Sequence, residues 1–231
     1  MEVAAPDQQG RLSLSERVSK HPVAACAASG FLLWAAFPPM EWSLLAWIAL
    51  TPLFRLAVEP TAGRRAYLAA WVGGLVFWTG SLQWVRLTDP TAWTAWATMA
   101  LIFSVWWPGF LALTRFAVFS LDIPLLLAAP IFWVGLEHVR AFLLSGFPWY
   151  YLGHSQYQAL PLIQIADATG ALGLSLLIAA VNALVVDLLS LPLLYRTARG
   201  ARLRPRQAVR LWVVGLALAG TLAYGGYRLS G

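Results

Sequence analysis

The chain has 231 residues, of which 60% are hydrophobic and only 11% charged, against roughly 25% charged in an ordinary soluble domain. That balance excludes a soluble fold of this length, which needs polar side chains to cover its surface. The formal net charge of +6 would in general suggest acidic or nucleic-acid partners, but here the basic residues fall between apolar runs, so topology accounts for them and no nucleic acid is expected.

Residues 1–21 are polar and mixed in charge, and read as a cytoplasmic N-terminal tail with no cleavable leader. A helix crossing the hydrocarbon core needs about 20 mainly apolar residues, and residues 22–229 read as a transmembrane domain with seven candidates. Pro22 to Pro38 is the first, ending at Pro38-Pro39, and Trp42 to Val58 is the second, with Arg55 near one end. Ala66 to Val85 and Pro90 to Thr114 contain no charge. Pro124 to Leu144 holds Glu137, His138 and Arg140, and the last two candidates are Ala168 to Leu194 and Leu211 to Tyr227. Lipid-exposed backbone must satisfy its own hydrogen bonds, so these runs are expected to be helices. The fold class is therefore an all-α integral membrane protein, a bundle of about seven transmembrane helices.

Orientation follows from the basic residues. With the N-terminus inside, Arg11, Arg17, Lys20, Arg64, Arg65, Arg115, Arg196, Arg199, Arg202, Arg204, Arg206 and Arg210 share one side. Only Arg86 and Arg228 fall on the other. The C-terminus then lies on the outer face. The longest outer connection, Ser145 to Asp167, carries Phe147, Trp149, Tyr150, Tyr151, Leu152 and Tyr157. It is too apolar for a plain solvent loop and is expected to fold back on the membrane as an aromatic re-entrant segment.

Charged groups inside a bilayer cost several kcal/mol unless paired or facing a cavity. Glu137 and Arg140 are three apart and share a helical face with Trp133. Either they form a structural ion pair or they wall a lipid headgroup site on the outer side; His138 points away. Gly146-Phe147-Pro148-Trp149 and Gly153-His154-Ser155-Gln156 follow. Their glycines and prolines give the connection a defined shape, and their aromatics suit the headgroup interface. Trp78 and Trp84 are expected beside the same cavity. Asn182 and Asp187 are expected to bond to neighbouring helices. His154-Ser155 has no acid nearby and does not read as a nucleophile pair. Cys26 reads as a small buried hydrophobe. No catalytic residue, metal ligand set or cofactor motif stands out.

These residues resemble the membrane half of bacterial apolipoprotein N-acyltransferases. The resemblance runs through Ala36-Phe37-Pro38-Pro39 and Trp42 to Pro52, then Gly74 to Trp84. It continues through Trp133, Glu137, Arg140, Gly146 to Trp149 and Gly153 to Gln156, to Pro161-Leu162-Ile163-Gln164, Gly170, Gly173 and Asn182. His154 stands where the family commonly has tyrosine. The resemblance implies a multi-pass protein of the bacterial cytoplasmic (inner) membrane, engaged in lipoprotein biosynthesis. It also implies a lipid and lipoprotein site shaped by Trp84, Trp133, Glu137, Arg140, Phe147, Pro148, Trp149 and Gln156.

In that family an extracytoplasmic carbon-nitrogen hydrolase domain follows seven spans and carries a Glu-Lys-Cys triad. Phospholipid acylates its thiol, and the acyl group passes to the amine of a diacylglyceryl lipoprotein. Lys20 and Cys26 are the only lysine and cysteine here, and neither fits that triad. The expectation is a split or truncated enzyme, without transfer activity unless a separate hydrolase-type chain joins it. A non-catalytic lipid- or lipoprotein-binding derivative is the alternative, and a small transporter the third reading.

Overall fold

Pro22 takes a first-turn position, where its missing N–H interrupts nothing, and α1 runs Pro22–Ala35. The computed structural model describes residues 18, 20–143, 146–191, 194–197 and 200–230. The tail expected over residues 1–21 therefore lies almost wholly outside the described residues, as do Leu144 and Ser145.

The second candidate span is not one helix. It is a 3₁₀ turn, Ser43–Leu45, then α2 (Ala46–Ala49) and α3 (Thr51–Ala57), with a break at Leu50. Pro52 explains the break, because it lacks an N–H and its ring crowds the carbonyl four residues earlier. Asn182 from a distant helix inserts into the neighbouring rung, between Leu50 and Ala46. Its Oδ1 accepts from Leu50 N–H at 2.9 Å, and its Nδ2 donates to Ala46 O at 2.9 Å. A side-chain amide thus sits in a missing rung of backbone ladder. Asn182→Leu leaves a buried donor and acceptor unpaired, and is expected to cost about 2–3 kcal/mol, measurable by thermal unfolding in detergent.

The third candidate span forms α4, Arg64–Ser81, followed by a 3₁₀ turn at Val85–Leu87. The fourth comprises α5 (Trp93–Ser104) and α6 (Trp106–Ser120), which continue one another through a helical Val105. Pro108 removes the bond that Ser104 O would accept, which places the interruption there. Then come α7 (Leu125–Phe142), a 3₁₀ stretch at Leu152–Gln156, the short α8 (Leu160–Ile163) and α9 (Ala166–Ser190). Gly170 kinks α9 with φ 65° and ψ 179°, a conformation open essentially to glycine alone.

The sixth span was expected to reach Leu194, but its helix stops at Ser190. Pro192 disfavours helix at the residue before it. An antiparallel hairpin follows, β1 (Leu194–Thr197) with β2 (Gly200–Leu203), in the segment whose arginines were assigned to the inner side. The last helix, α10, runs Pro205–Ser230.

Four stretches are long and apolar enough to cross a membrane: Trp93–Ser120, Leu125–Phe142, Ala166–Ser190 and Pro205–Ser230. Pro22–Ala35 and Ser43–Ala57 are shorter apolar helices, and α4 begins on two arginines. Contacts run chiefly between α1 and α4, between α7 and α9, and from α10 to α8 and α9. The first pair meets backbone to backbone. A Cβ on Gly30 would lie 2.1 Å from Gly73 O, and one on Gly73 would lie 2.5 Å from Cys26 O. Cys26 itself is fully buried.

Phe54, Phe110, Leu53, Leu82, Leu111 and Ile178 form the centre, while Phe31, Leu68, Ile131, Leu176 and Leu216 are exposed. An exposed shell this apolar needs lipid as its solvent. On α10 the buried residues are Gln207, Val214, Thr221 and Gly225. The first three recur at seven-residue intervals, a narrow seam typical of helices facing the bundle on one edge only. Ion pairs Arg210–Asp187 (2.9 Å) and Arg228–Asp167 (3.0 Å) tie its two ends to opposite ends of α9. The two helices are therefore antiparallel.

Candidate functional site

Trp133, Glu137 and Arg140 lie on one face of α7, as their spacing requires. Glu137 and Arg140 are 5% and 4% exposed, too buried to remain charged without partners. They do not pair with each other: no ion pair within 4.0 Å joins them. Each is instead directed at the segment that follows the helix. Glu137 Oε1 accepts from Trp133 Nε1 at 2.9 Å and from the backbone N–H of Leu152 at 2.7 Å. Arg140 donates to Trp149 O at 2.8 Å and to Tyr150 O at 3.5 Å. Its guanidinium also lies 4.8 Å above the Trp78 ring and 5.6 Å from that of Tyr151.

This bonding explains how an irregular segment is held inside a bundle. Arg140 O accepts from Phe147 N–H at 3.0 Å, and Tyr150, with φ 56°, donates its hydroxyl to Ser81 O at 2.6 Å. Gly153 N–H donates to Ser175 Oγ on α9 at 2.8 Å. Tyr151, Leu152, Gly153, Ser155 and Gln156 are buried. The middle of the connection is thus packed against the protein's own helices, while Pro148, Trp149 and Tyr157 stay exposed.

The outcome is a graded aromatic structure. At its exposed end Trp84 and Trp149, 39% and 51% exposed, stack at 5.1 Å and 25°. Phe147 lies behind, 5.8 Å from Trp149 and 4.7 Å from Phe103. Deeper still, Trp78, Tyr150, Phe77, Trp107 and Trp133 surround a cavity of about 40 Å³ that Glu137 and Arg140 also line. Trp78 Nε1 and Trp106 Nε1 have no hydrogen-bond partner among the described residues, and both residues line that cavity.

The structure thus brings together seven of the eight expected site residues: Trp84, Trp133, Glu137, Arg140, Phe147, Pro148 and Trp149. They divide into a buried scaffold and an exposed aromatic end. Gln156 is different. It is 1% exposed, accepts from Trp47 Nε1 at 3.1 Å and donates to Ser43 O at 2.8 Å. Its amide fastens the connection to the second span, away from the cavity.

His138 is exposed and packs edge-on against Phe142 at 5.0 Å, in keeping with its position off the site face. His154 does not activate Ser155, whose hydroxyl donates to Leu152 O at 2.7 Å. Burial, helped by nearby Arg140, keeps the His154 imidazole below its ordinary pKa, so it is neutral at neutral pH. Beside the site, Tyr157 and Gln158 both donate to the Glu41 carboxylate, which holds its pKa below the usual range. Asp187 bonds to Arg210 and Asn182 to α2, the helix-to-helix roles expected of them. Among the described residues, no group of three His, Cys, Asp or Glu gathers as a metal site.

Sequence reasoning missed Tyr150 and Tyr151 as structural parts of the site, along with Ser81 and Ser175. Their signal was weak, because an aromatic in an interfacial segment reads first as belt.

The family model described as apolipoprotein N-acyltransferase N-terminal domain matches residues 29–184. An apolipoprotein N-acyltransferase of Geobacter metallireducens is 40% identical over 214 residues, which cover 87% of this chain and 39% of that protein. That of Rhodopirellula baltica is 33% identical over 186 residues, 76% of this chain and 32% of the relative. That of Pasteurella multocida is 28% identical over 171 residues. The chain spans about two fifths of the first relative and about a third of the second. Its long apolar helices, its lipid-solvated surface and this match together make it a multi-pass membrane protein that belongs to the apolipoprotein N-acyltransferase family and corresponds to its N-terminal domain.

Proposed function

We propose that this chain is the membrane platform for N-acylation of lipoproteins. It holds a phospholipid donor and a diacylglyceryl lipoprotein with their reactive groups at the outer face of the bacterial inner membrane. The polypeptide crosses seven times, with the three shorter or more polar candidates completing the set and the N-terminus cytoplasmic. The nucleophile belongs to a hydrolase-type domain outside residues 1–231. Its thiol takes the acyl group from the phospholipid ester, releasing lysophospholipid. The lipoprotein amine then takes that group from the thioester, and the thiol is regenerated.

One observation carries this reading. Two buried ionisable side chains, Glu137 and Arg140, are committed to backbone groups between Trp149 and Leu152, and the result is an exposed Trp84–Trp149 stack. Two charges are an expensive way to hold a loop in a membrane, and an amphipathic aromatic pair at a span end suits the boundary between headgroup and acyl chain. Such a platform acts by position, and proximity contributes several kcal/mol to a bimolecular transfer.

The test is N-acylation of a diacylglyceryl lipopeptide, followed by mass spectrometry. Residues 1–231 alone are expected to give no product, and residues 1–231 with the hydrolase-type domain of a relative to give transfer. Trp149→Ala is expected to lower that rate about tenfold or more while leaving the far-UV circular dichroism unchanged. Transfer by residues 1–231 alone would overturn the placement of the nucleophile. Phospholipid retention without transfer in the joined system would favour a non-catalytic lipid-binding protein.

A further inference from the structure

The proposed platform leaves one cation beside it unexplained. Arg86 lies in the 3₁₀ turn Val85–Leu87, two residues beyond Trp84 and about 4 Å further along the turn axis. Its guanidinium carbon is 4.6 Å from the Trp93 ring centroid and 5.9 Å from that of Trp96. Trp96 is itself pinned, donating its Nε1–H to Thr79 O at 3.1 Å. The guanidinium is therefore held by aromatic rings that are fixed in turn to α4.

No acid among the described residues forms an ion pair with it. Among the described residues, the ion pairs are Arg55–Glu59, Arg210–Asp187 and Arg228–Asp167. Asp89, three residues on, turns its carboxylate to the backbone N–H and hydroxyl of Thr91. Arg86 Nε is buried and, among the described residues, has no hydrogen-bond partner; the residue as a whole is half-buried, so an outside ligand would meet the two Nη groups. Ring contacts satisfy a guanidinium face but not its in-plane N–H donors, and those donors match a carboxylate or phosphate in bidentate geometry. The basic tally of the sequence also matters here. Arg86 is one of only two basic residues assigned to the outer side, so topogenesis does not account for it.

The geometry points to Arg86 as the phosphate-binding residue of this platform, and its ligand is the phosphodiester of a glycerophospholipid. This rests on the proposed lipid site and deepens it. Exposed Leu87 and Trp93 flank the arginine, and Trp84 of the Trp84–Trp149 stack is two residues before it in the chain. A lipid whose phosphate meets Arg86 would lay its glycerol and upper acyl chain against those rings. A soluble anion gains nothing from such surroundings, and this selects the lipid over free phosphate.

The experiment is native mass spectrometry of the purified chain in detergent, titrated with dioleoylphosphatidylglycerol or with dioleoylglycerol, which lacks the phosphate. The wild type is expected to bind the phospholipid in preference to the diacylglycerol. Arg86→Gln should lose about tenfold in phospholipid affinity and bind diacylglycerol unchanged, with its thermal midpoint in detergent unaltered. Arg86→Lys should recover only part of the loss, and Arg228→Gln should bind like the wild type.

Wild-type phospholipid affinity in Arg86→Gln would overturn the inference. So would inorganic phosphate, added without lipid, stabilising the wild type but not Arg86→Gln, since the site would then take a free anion. Trp149→Ala separates the two readings. If it loses phospholipid while Arg86→Gln retains it, the platform stands and the phosphate assignment falls. If Arg86→Gln loses phospholipid while Trp149→Ala retains it, the arginine site stands without the aromatic platform.

Discussion

Arg140→Met is expected to destabilise the protein by about 3–5 kcal/mol, the usual cost of removing one charge from a buried, compensated set. Three losses combine. Trp149 O and Tyr150 O lose their donor, the Trp78 ring loses the cation above it, and Glu137 keeps its carboxyl one turn away without an opposing charge. Glu137→Gln gives the informative contrast. A glutamine carbonyl still accepts from Trp133 Nε1–H and Leu152 N–H, so a loss under about 1.5 kcal/mol is expected. Glu137→Leu removes that acceptor and should resemble Arg140→Met. Thermal unfolding in detergent ranks the variants. Fluorescence quenching reports the segment itself, because Trp149 should become more accessible in Arg140→Met before the bundle melts. Equal stability of Arg140→Met and wild type would remove the reason for placing these charges in the scaffold.

The second large effect concerns no charge at all. Gly73→Leu is expected to cost about 3 kcal/mol or more, because its first side-chain atom would meet Cys26 O at 2.5 Å and the Trp107 ring at 2.8 Å. Backbone carbonyls cannot rotate aside as a flexible side chain can. Gly30→Ala should behave similarly, since its Cβ would lie 2.1 Å from Gly73 O. Gly135→Ala is the matched control. That glycine also lies inside an apolar helix, but nothing stands within 4 Å of its added Cβ, so a change between neutral and about 1 kcal/mol stabilising is expected. Thermal midpoints of the three purified variants test the set. A tolerated Gly73→Leu would mean that α1 and α4 do not cross at this point.

The long spans were legible because lipid solvation imposes a long, mainly apolar run on a crossing, and the runs from Pro90, Pro124 and Leu211 all became long helices. The second span was harder. Pro52 was visible, but its consequence depends on Asn182, 132 residues from Leu50, and no local pattern encodes such a partner. The site was legible in membership more than in arrangement. A three-residue spacing put Glu137 and Arg140 on one face and suggested an ion pair. The structure instead spends each on backbone carbonyls or an N–H that only the folded connection supplies. Gln156 looked like a site residue because it followed the aromatic motif, and its burial against Ser43 and Trp47 could be known only from three dimensions. The hairpin at Leu194–Leu203 escaped notice because its arginines already had a topological explanation.

The Asn182 insertion also sets an order in time. Residues around Leu50 leave the ribosome well before Asn182 does, and at roughly 5–20 residues per second the interval is about 7–26 s. Throughout it Leu50 N–H and Ala46 O lack the partner that Asn182 supplies in the folded protein, and lipid offers none in its place. The second apolar helix pair therefore reaches its final bonding only when the helix that carries Asn182 arrives. Assembly of this bundle is completed from its C-terminal half backwards, and slowing synthesis between residues 57 and 182 should lengthen the vulnerable period in proportion.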